Sequence, residues 1–258
     1  MLIGTMKAGN MNVFIHDTRK SMGERVAEDF SEYLKALLEK KENVNVIFAA
    51  APSQEDFLSS LAGKKGIDWK RVNVFHMDEY VGLGIDKEQS FAEFVKEKVA
   101  DRFNVGRFFP INGGAKDVIA ECERYAKLLR EYKTDIVCLG IGENGHIAFN
   151  DPGEAKFWDE EDVKIVTLDE TCRNQQVHDK CFDDIDAVPK YAITLTVPAL
   201  MRADAMFCTV PAATKAEAVR KTITEDINEL CPATILKAHK NVNFYCDKDS
   251  ASSVCTDV

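Results

Sequence analysis

His146 sits in the run CLGIGENGHIAFNDP (138–152), where an imidazole is surrounded by Glu143, Asn144, Asn150 and Asp151. Gly140, Gly142 and Gly145 let this backbone take positive φ or approach a ligand closely. Histidine titrates near neutrality and can act as both acid and base. A glycine-rich turn holding a satisfied, buried histidine would account for the same residues, because a lone glycine-rich loop is a weak motif. Three further polar stretches carry reactive types: APSQ (51–54) with Ser53, HMDEY (76–80) with Asp78 and Glu79, and PAATK (211–215) with Lys215. Asp78 and Glu79 directly follow an apolar run, so desolvation could prime one of them as a base; solvated loop carboxylates are the alternative. Lys215 could be a surface lysine, and Ser53 a helix cap, yet a cation and a helix start together suit an anion. Moving a proton between adjacent carbons needs one carboxylate, and an enediol-like intermediate needs nearby donors.

The elements that must position these residues alternate. Strands are expected at 13–15, 44–50, 72–75, 135–139, 163–168, 191–196, 205–210 and 242–246, on β-branched or apolar runs bounded by polar residues. Helices are expected at 21–41, from Ser53, at 91–103, 117–132, 214–222 and 231–239. This β-α-β alternation predicts a single α/β domain over 1–258, Rossmann-like, with a mostly parallel sheet and helices on both faces. In open α/β sheets ligands bind beyond the carboxyl ends of the strands. The four polar stretches each follow an expected strand, so they converge on one edge. His16 and His239 read as structural or surface residues; His76 and His178 stay open, with packing favoured.

Composition narrows the class. Of 258 residues 45% are hydrophobic and 29% charged, ordinary for a soluble globular protein. A net charge of −10 argues against nucleic acid and anionic membranes as partners. No stretch approaches the 18 or so apolar residues of a membrane span, and the N-terminus lacks a signal-peptide core, so a cytoplasmic location is expected. The eight cysteines are dispersed and no pair has C-x-x-C spacing, which predicts reduced, structural thiols and no zinc site. No G-x-G-x-x-G fingerprint signals a redox cofactor, and no cofactor or metal is expected.

HMDEYVGL (76–83) and LGIGENGHIAFNDP (139–152) resemble the two signature segments of the glucosamine-6-phosphate deaminases (isomerases). VPKYAITLTVPAL (188–200), TKAEAV (214–219) and CPATILKAHKNVNFYCDK (231–248) extend the resemblance over nearly the whole chain. The 6-phosphogluconolactonases share that fold and a comparable Gly-His loop, but typically continue GHTASLFP and lack the DEY segment. The resemblance implies that glucosamine 6-phosphate and water give fructose 6-phosphate and ammonium. It makes Asp78 the base that moves a proton from C2 to C1, and His146 the residue exchanging a proton with the ring oxygen. Asn144 and Asp151 would orient the imidazole and complete the catalytic group, and Lys215 would contact the phosphate. Ser53, Glu79 and Gly145 complete the expected substrate-binding set, together with Arg173.

Three departures stand out. AAAPSQ (49–54) replaces a TGGTP- or TGSTP-like phosphate loop, Asp151 stands where members often have Glu, and the family's substrate-binding arginine has no secure counterpart. Arg173, His178 and Lys180 lie in that region, and Arg173 is the candidate chosen. The alternatives are a lactonase, a deaminase of another hexosamine 6-phosphate and, in another class, a non-catalytic sugar-phosphate sensor. A sensor should have lost the base or the histidine and should carry a DNA-binding segment; Asp78 and His146 are present, and a first strand beginning near residue 12 would leave such a segment no room. A homo-oligomer is possible.

Overall fold

The computed structural model describes residues 1–254. Its centre is an eight-stranded sheet of β1 (Leu2–Ala8), β2 (Met11–His16), β3 (Val44–Phe48), β4 (Val72–His76), β6 (Arg107–Phe109), β7 (Ile136–Leu139), β10 (Ala205–Val210) and β11 (Val242–Asp247). The strands lie in the order β1-β2-β11-β10-β7-β3-β4-β6. The β1–β2 pair is antiparallel and every other neighbouring pair is parallel. The first strand therefore begins at Leu2: β1 precedes the strand expected first, at 13–15, which is β2. The mostly exposed face of β1 hides it from a search for apolar runs.

Alternation of side chains places helices on both faces. Ile136 and Cys138 of β7 join one buried cluster with Met22, Val26, Phe30 and Leu34 of α1 (Arg19–Leu38). Val137 and Leu139 join the other, with Tyr125 and Leu129 of α4 (Val118–Glu131) and Val219 of α7 (Ala216–Thr224). The fully buried IVCL and AMFCTV segments of β7 and β10 read as continuous apolar runs, as central parallel strands must.

Three elements differ from their sequence signals. Pro52–Gln54 is a single 3₁₀ turn leading into α2 (Glu55–Leu61), and Ser53 lies inside it; Ala51 occupies the cap position, without a side-chain bond. The helix from Phe91 is α-helical only over α3 (Phe91–Val95) and continues as a π-helix over Lys96–Asp101. Asp78–Tyr80 forms a short strand, β5, in a second sheet with β8 (Val163–Thr167) and β9 (Tyr191–Leu195), in the order β5-β9-β8 and antiparallel throughout. Two short helices went unforeseen, α5 (Glu170–His178) and α6 (Val197–Met201).

The chain first lays down the β1–β2 edge, crosses to β3 and builds outward through β4 and β6, then returns to β7 and builds the other way through β10 and β11. The reversal lies at β7, and crevices form beyond the carboxyl ends of strands where such a reversal occurs. Seven of the cysteines lie among the described residues, six of them buried, as their apolar settings suggested; Cys255 lies outside the described residues.

Candidate active site

The segments that follow β3, β4, β7 and β10 meet around one cavity of about 80 Å³, lined by Ser53, Asp78, Gly142, His146 and Lys215. It shares Ala50, Ala51, Pro52, Phe91, Asp179 and Cys181 with an adjoining cavity of about 620 Å³. The four polar stretches singled out in the sequence thus converge.

Asp78 is 7% exposed, and its carboxylate makes no hydrogen bond among the described residues. Burial, and then the neighbouring Glu79 carboxylate, push its pKa well above the ordinary range. Its position is set from behind by His76, whose Nδ1 donates to the Asp78 carbonyl at 3.0 Å while Nε2 accepts from the Ile111 N–H at 2.8 Å. Burial lowers the His76 pKa to about 3, so it is a neutral strut, and the packing role holds.

His146 belongs to a closed network. Its Nδ1 lies 2.8 Å from Asn144 Oδ1 and 2.9 Å from Asp151 Oδ1. Asn144 Oδ1 also accepts the His146 backbone N–H at 3.0 Å, while Asn144 Nδ2 donates to Asp151 Oδ1 at 2.9 Å and to Asp169 Oδ2 at 3.0 Å. Two acceptors face Nδ1, so in the neutral ring Nδ1 carries the proton and Nε2 the lone pair. Asp151 is 1% exposed. Burial would raise its pKa, but the neighbouring His146 and hydrogen bonds from His146, Asn144 and the Asp169 N–H outweigh that and hold it low. The ring lies against Gly142, where a Cβ would come within 2.2–2.5 Å of three ring atoms, so this glycine is required for close approach.

Lys215 is 8% exposed, and its ammonium has no hydrogen-bond partner. Burial lowers its pKa, against the opposing pull of Asp179, Glu143 and Cys172. Ser53 Oγ accepts from Gln54 Nε2 at 3.1 Å, which leaves its own O–H free to donate. The chamber therefore offers an unpaired cation, a free hydroxyl, an unpaired carboxylate and an oriented imidazole. That combination can hold an anionic substrate and move protons along it.

Three expected substrate contacts are not brought to the chamber. Glu79 is fully buried and accepts from Ser90 Oγ (2.7 Å) and from the N–H groups of Tyr80 (2.9 Å), Phe91 (3.2 Å) and Ala92 (2.8 Å). It holds the start of α3. Gly145 adopts φ +85° and spends its N–H on Gly142 O and its carbonyl on the Ala233 N–H; a Cβ there would sit 2.6 Å from Cys231 Sγ. It shapes the turn. Arg173 donates from Nη2 to the carbonyls of Ile185 and Val188, tying α5 to the following loop. From the same helix and its end, Gln175, Gln176 and Asp179 line the chamber instead. His178, at the helix's end, is largely exposed, with Nδ1 3.9 Å from Glu143.

Asp169, the N-cap of α5, also escaped the sequence reading, although Asp before a helix is a cap signal. Donor atoms of His146, Asp151 and Cys172 lie within 4.8 Å of one another, so these residues could hold a soft divalent cation, a grouping sequence spacing does not reveal. Cys172 is held protonated by burial and by the Asp151 and Asp169 carboxylates.

The family profile described as glucosamine-6-phosphate isomerases/6-phosphogluconolactonase matches residues 17–245. The chain is 32% identical over 247 residues to a glucosamine-6-phosphate deaminase of Bacillus cereus (strain B4264), covering 96% of this chain and 90% of that protein. It is also 32% identical, over the same length, to one from Bacillus anthracis (strain A0248). A solved monomeric glucosamine-6-phosphate deaminase superposes with a TM-score of 0.85 at 29% identity, covering 96% of this chain and all of that one. The 6-phosphogluconolactonase of Thermotoga maritima shares the fold, with a TM-score of 0.75 at 18% identity, over 92% of this chain and all of that one.

Proposed function

Because the chain belongs to the glucosamine-6-phosphate isomerase/6-phosphogluconolactonase family, we propose that it converts glucosamine 6-phosphate and water into fructose 6-phosphate and ammonium. The observation that carries this reading is one chamber holding an unpartnered Lys215 ammonium together with Asp78 and His146. On this reading Lys215 and the Ser53 hydroxyl take the phosphate, and the anion supplies the partner that the buried ammonium lacks. His146 Nε2 accepts the anomeric hydroxyl proton and returns a proton to the ring oxygen, which opens the pyranose. Asn144 and Asp151 keep the imidazole in the tautomer this step requires. Asp78 takes the proton from C2 and delivers it to C1. Its raised pKa strengthens it as a base, and the substrate's ammonium, close by in the complex, favours its ionised form. The resulting imine at C2 is hydrolysed by water, releasing ammonium. No step in this scheme calls for a redox cofactor.

On this reading the enzyme acts in the cytoplasm, in the breakdown of amino sugars such as N-acetylglucosamine. The test is ammonia release across hexosamine 6-phosphates, with 6-phosphogluconolactone hydrolysis as the control. Glucosamine 6-phosphate should be turned over fastest and the lactone not at all. Preferential lactone hydrolysis, or equal turnover of phosphorylated and free glucosamine, would overturn the reading.

A further inference from the structure

We propose that Asp169 is a positioning residue of the ring-opening group: it fixes the Asn144 carboxamide in the orientation that keeps the His146 proton on Nδ1. The inference rests on the reaction proposed above for its kinetic consequences, but not for its structural one. A carboxamide is nearly symmetric in shape, so a half-turn that exchanges its oxygen and nitrogen meets almost no steric resistance. Only its hydrogen-bond partners choose between the two orientations. On the nitrogen side Asn144 faces two carboxylates, Asp151 Oδ1 at 2.9 Å and Asp169 Oδ2 at 3.0 Å. On the oxygen side it faces the backbone N–H and Nδ1 of His146, at 3.0 and 2.8 Å. Turning the amide over would set its N–H₂ against Nδ1, expel the proton from that atom and move it to Nε2. The imidazole would then present a donor to the chamber where ring opening needs an acceptor.

Capping α5 does not exhaust Asp169. The cap uses Oδ1, which accepts the Cys172 N–H at 2.6 Å. Oδ2 is left for Asn144, and the Asp169 N–H reaches Asp151 Oδ2 at 3.4 Å. One residue at the start of α5 thus joins both carboxylates and the amide behind His146. Serine and asparagine cap helices about as well as aspartate, so the two roles can be separated by substitution. In Asp169→Asn an Oδ1 that keeps the cap leaves an N–H₂ facing Asn144 Nδ2, donor against donor, a conflict that pushes Asn144 to turn over against the hold of Asp151 and the His146 backbone N–H. In Asp169→Ser the cap stays and no new donor is imposed, so Asp151 and the His146 backbone N–H still hold the amide.

The experiment combines ¹⁵N NMR of histidine-labelled protein, which reports which ring nitrogen of His146 is protonated, with steady-state ammonia release. The parent should show Nδ1–H. Asp169→Asn should shift His146 toward Nε2–H and lower kcat on the order of 10²-fold, the scale expected of a misaligned reacting group, with KM little changed. Asp169→Ser should keep Nδ1–H and lose less than about tenfold in kcat on that same scale. A parent with Nε2–H, or Asp169→Asn with Nδ1–H unchanged, overturns the proposal whatever happens to the melting temperature. Equal losses in both variants would leave Asp169 as a cap alone and also overturn it. The tautomer is read without turnover, so a parent that releases no ammonia would refute the proposed reaction while the spectrum still decides the role of Asp169.

Discussion

Replacing Lys215 by methionine should make the ligand-free protein more stable. The side chains have similar length and the site is 8% exposed, so methionine fills the same space, but the ammonium it replaces is buried and has no partner. A buried donor left unsatisfied costs about 1–3 kcal/mol, and a charged one more. For a chain of this size each kcal/mol corresponds to roughly 2–4 °C in Tm. Lys215→Met should therefore raise Tm by at least about 2–4 °C, the value for about 1 kcal/mol. The pH dependence has a definite sign. Burial sets the lysine's pKa below its ordinary value, so between the two the unfolded chain binds more protons than the folded one. The contribution of Lys215 to the parent's stability must then rise with pH up to about 10.4, the ordinary lysine value, and the advantage of the variant must shrink over the same window. Phosphate works against the variant. A ligand at a hundred times its Kd stabilises by about 2.7 kcal/mol, and the parent should gain this from fructose 6-phosphate while Lys215→Met gains little. The assay is thermal unfolding of both proteins from pH 7 to 10, with and without the sugar phosphate. A variant that melts below the parent, or that responds equally to the ligand, would refute the reasoning.

Asp78→Asn keeps the shape of the side chain and removes the base, so turnover should fall by at least about 10²-fold while sugar-phosphate binding persists; activity within tenfold of the parent in ammonia-release kinetics would exclude Asp78 as the base. Asp151→Glu should lower kcat as well, because Asp151 is 1% exposed and already 2.9 Å from both Asn144 Nδ2 and His146 Nδ1, so an arm roughly 1.5 Å longer displaces the imidazole. A faster Asp151→Glu enzyme would mean that this loop is not fitted to aspartate. Glu79→Gln should cost about 1–3 kcal/mol in denaturant unfolding, because its N–H₂ group must face donors at the start of α3. KM should stay unchanged, and a raised KM without lost stability would return Glu79 to the substrate-binding set.

The same pair, Asp78 and Glu79, shows how far the sequence was legible. Both follow an apolar strand and both were expected at the substrate. They lie on β5, a strand of three residues whose side chains alternate between faces, so that the chamber receives Asp78 and the start of α3 receives Glu79. Three residues are too few to display an alternation, and nothing in HMDEY marks a strand. His146 and Lys215 were legible for the opposite reason. They follow β7 and β10, long apolar runs whose carboxyl ends must meet wherever a parallel sheet reverses its order. Arg173 failed where the helix itself was invisible. The ETCRNQQVH segment of α5 carries no apolar stripe, so no helical face could be assigned from it. Yet that face decides that Gln175 and Gln176 reach the chamber while Arg173 turns to the Ile185 and Val188 carbonyls. Polar helices are positioned by their caps and by what they seal. Here the cap residue, Asp169, is also a hydrogen-bond partner of Asn144, 25 residues earlier in the chain. Apolar periodicity records only what a segment buries, and this contact buries polar groups against one another. Of the residues behind the imidazole, Asn144 and Asp151 lie in the glycine-rich run with His146 and were legible, whereas Asp169, brought there only by the fold, was not.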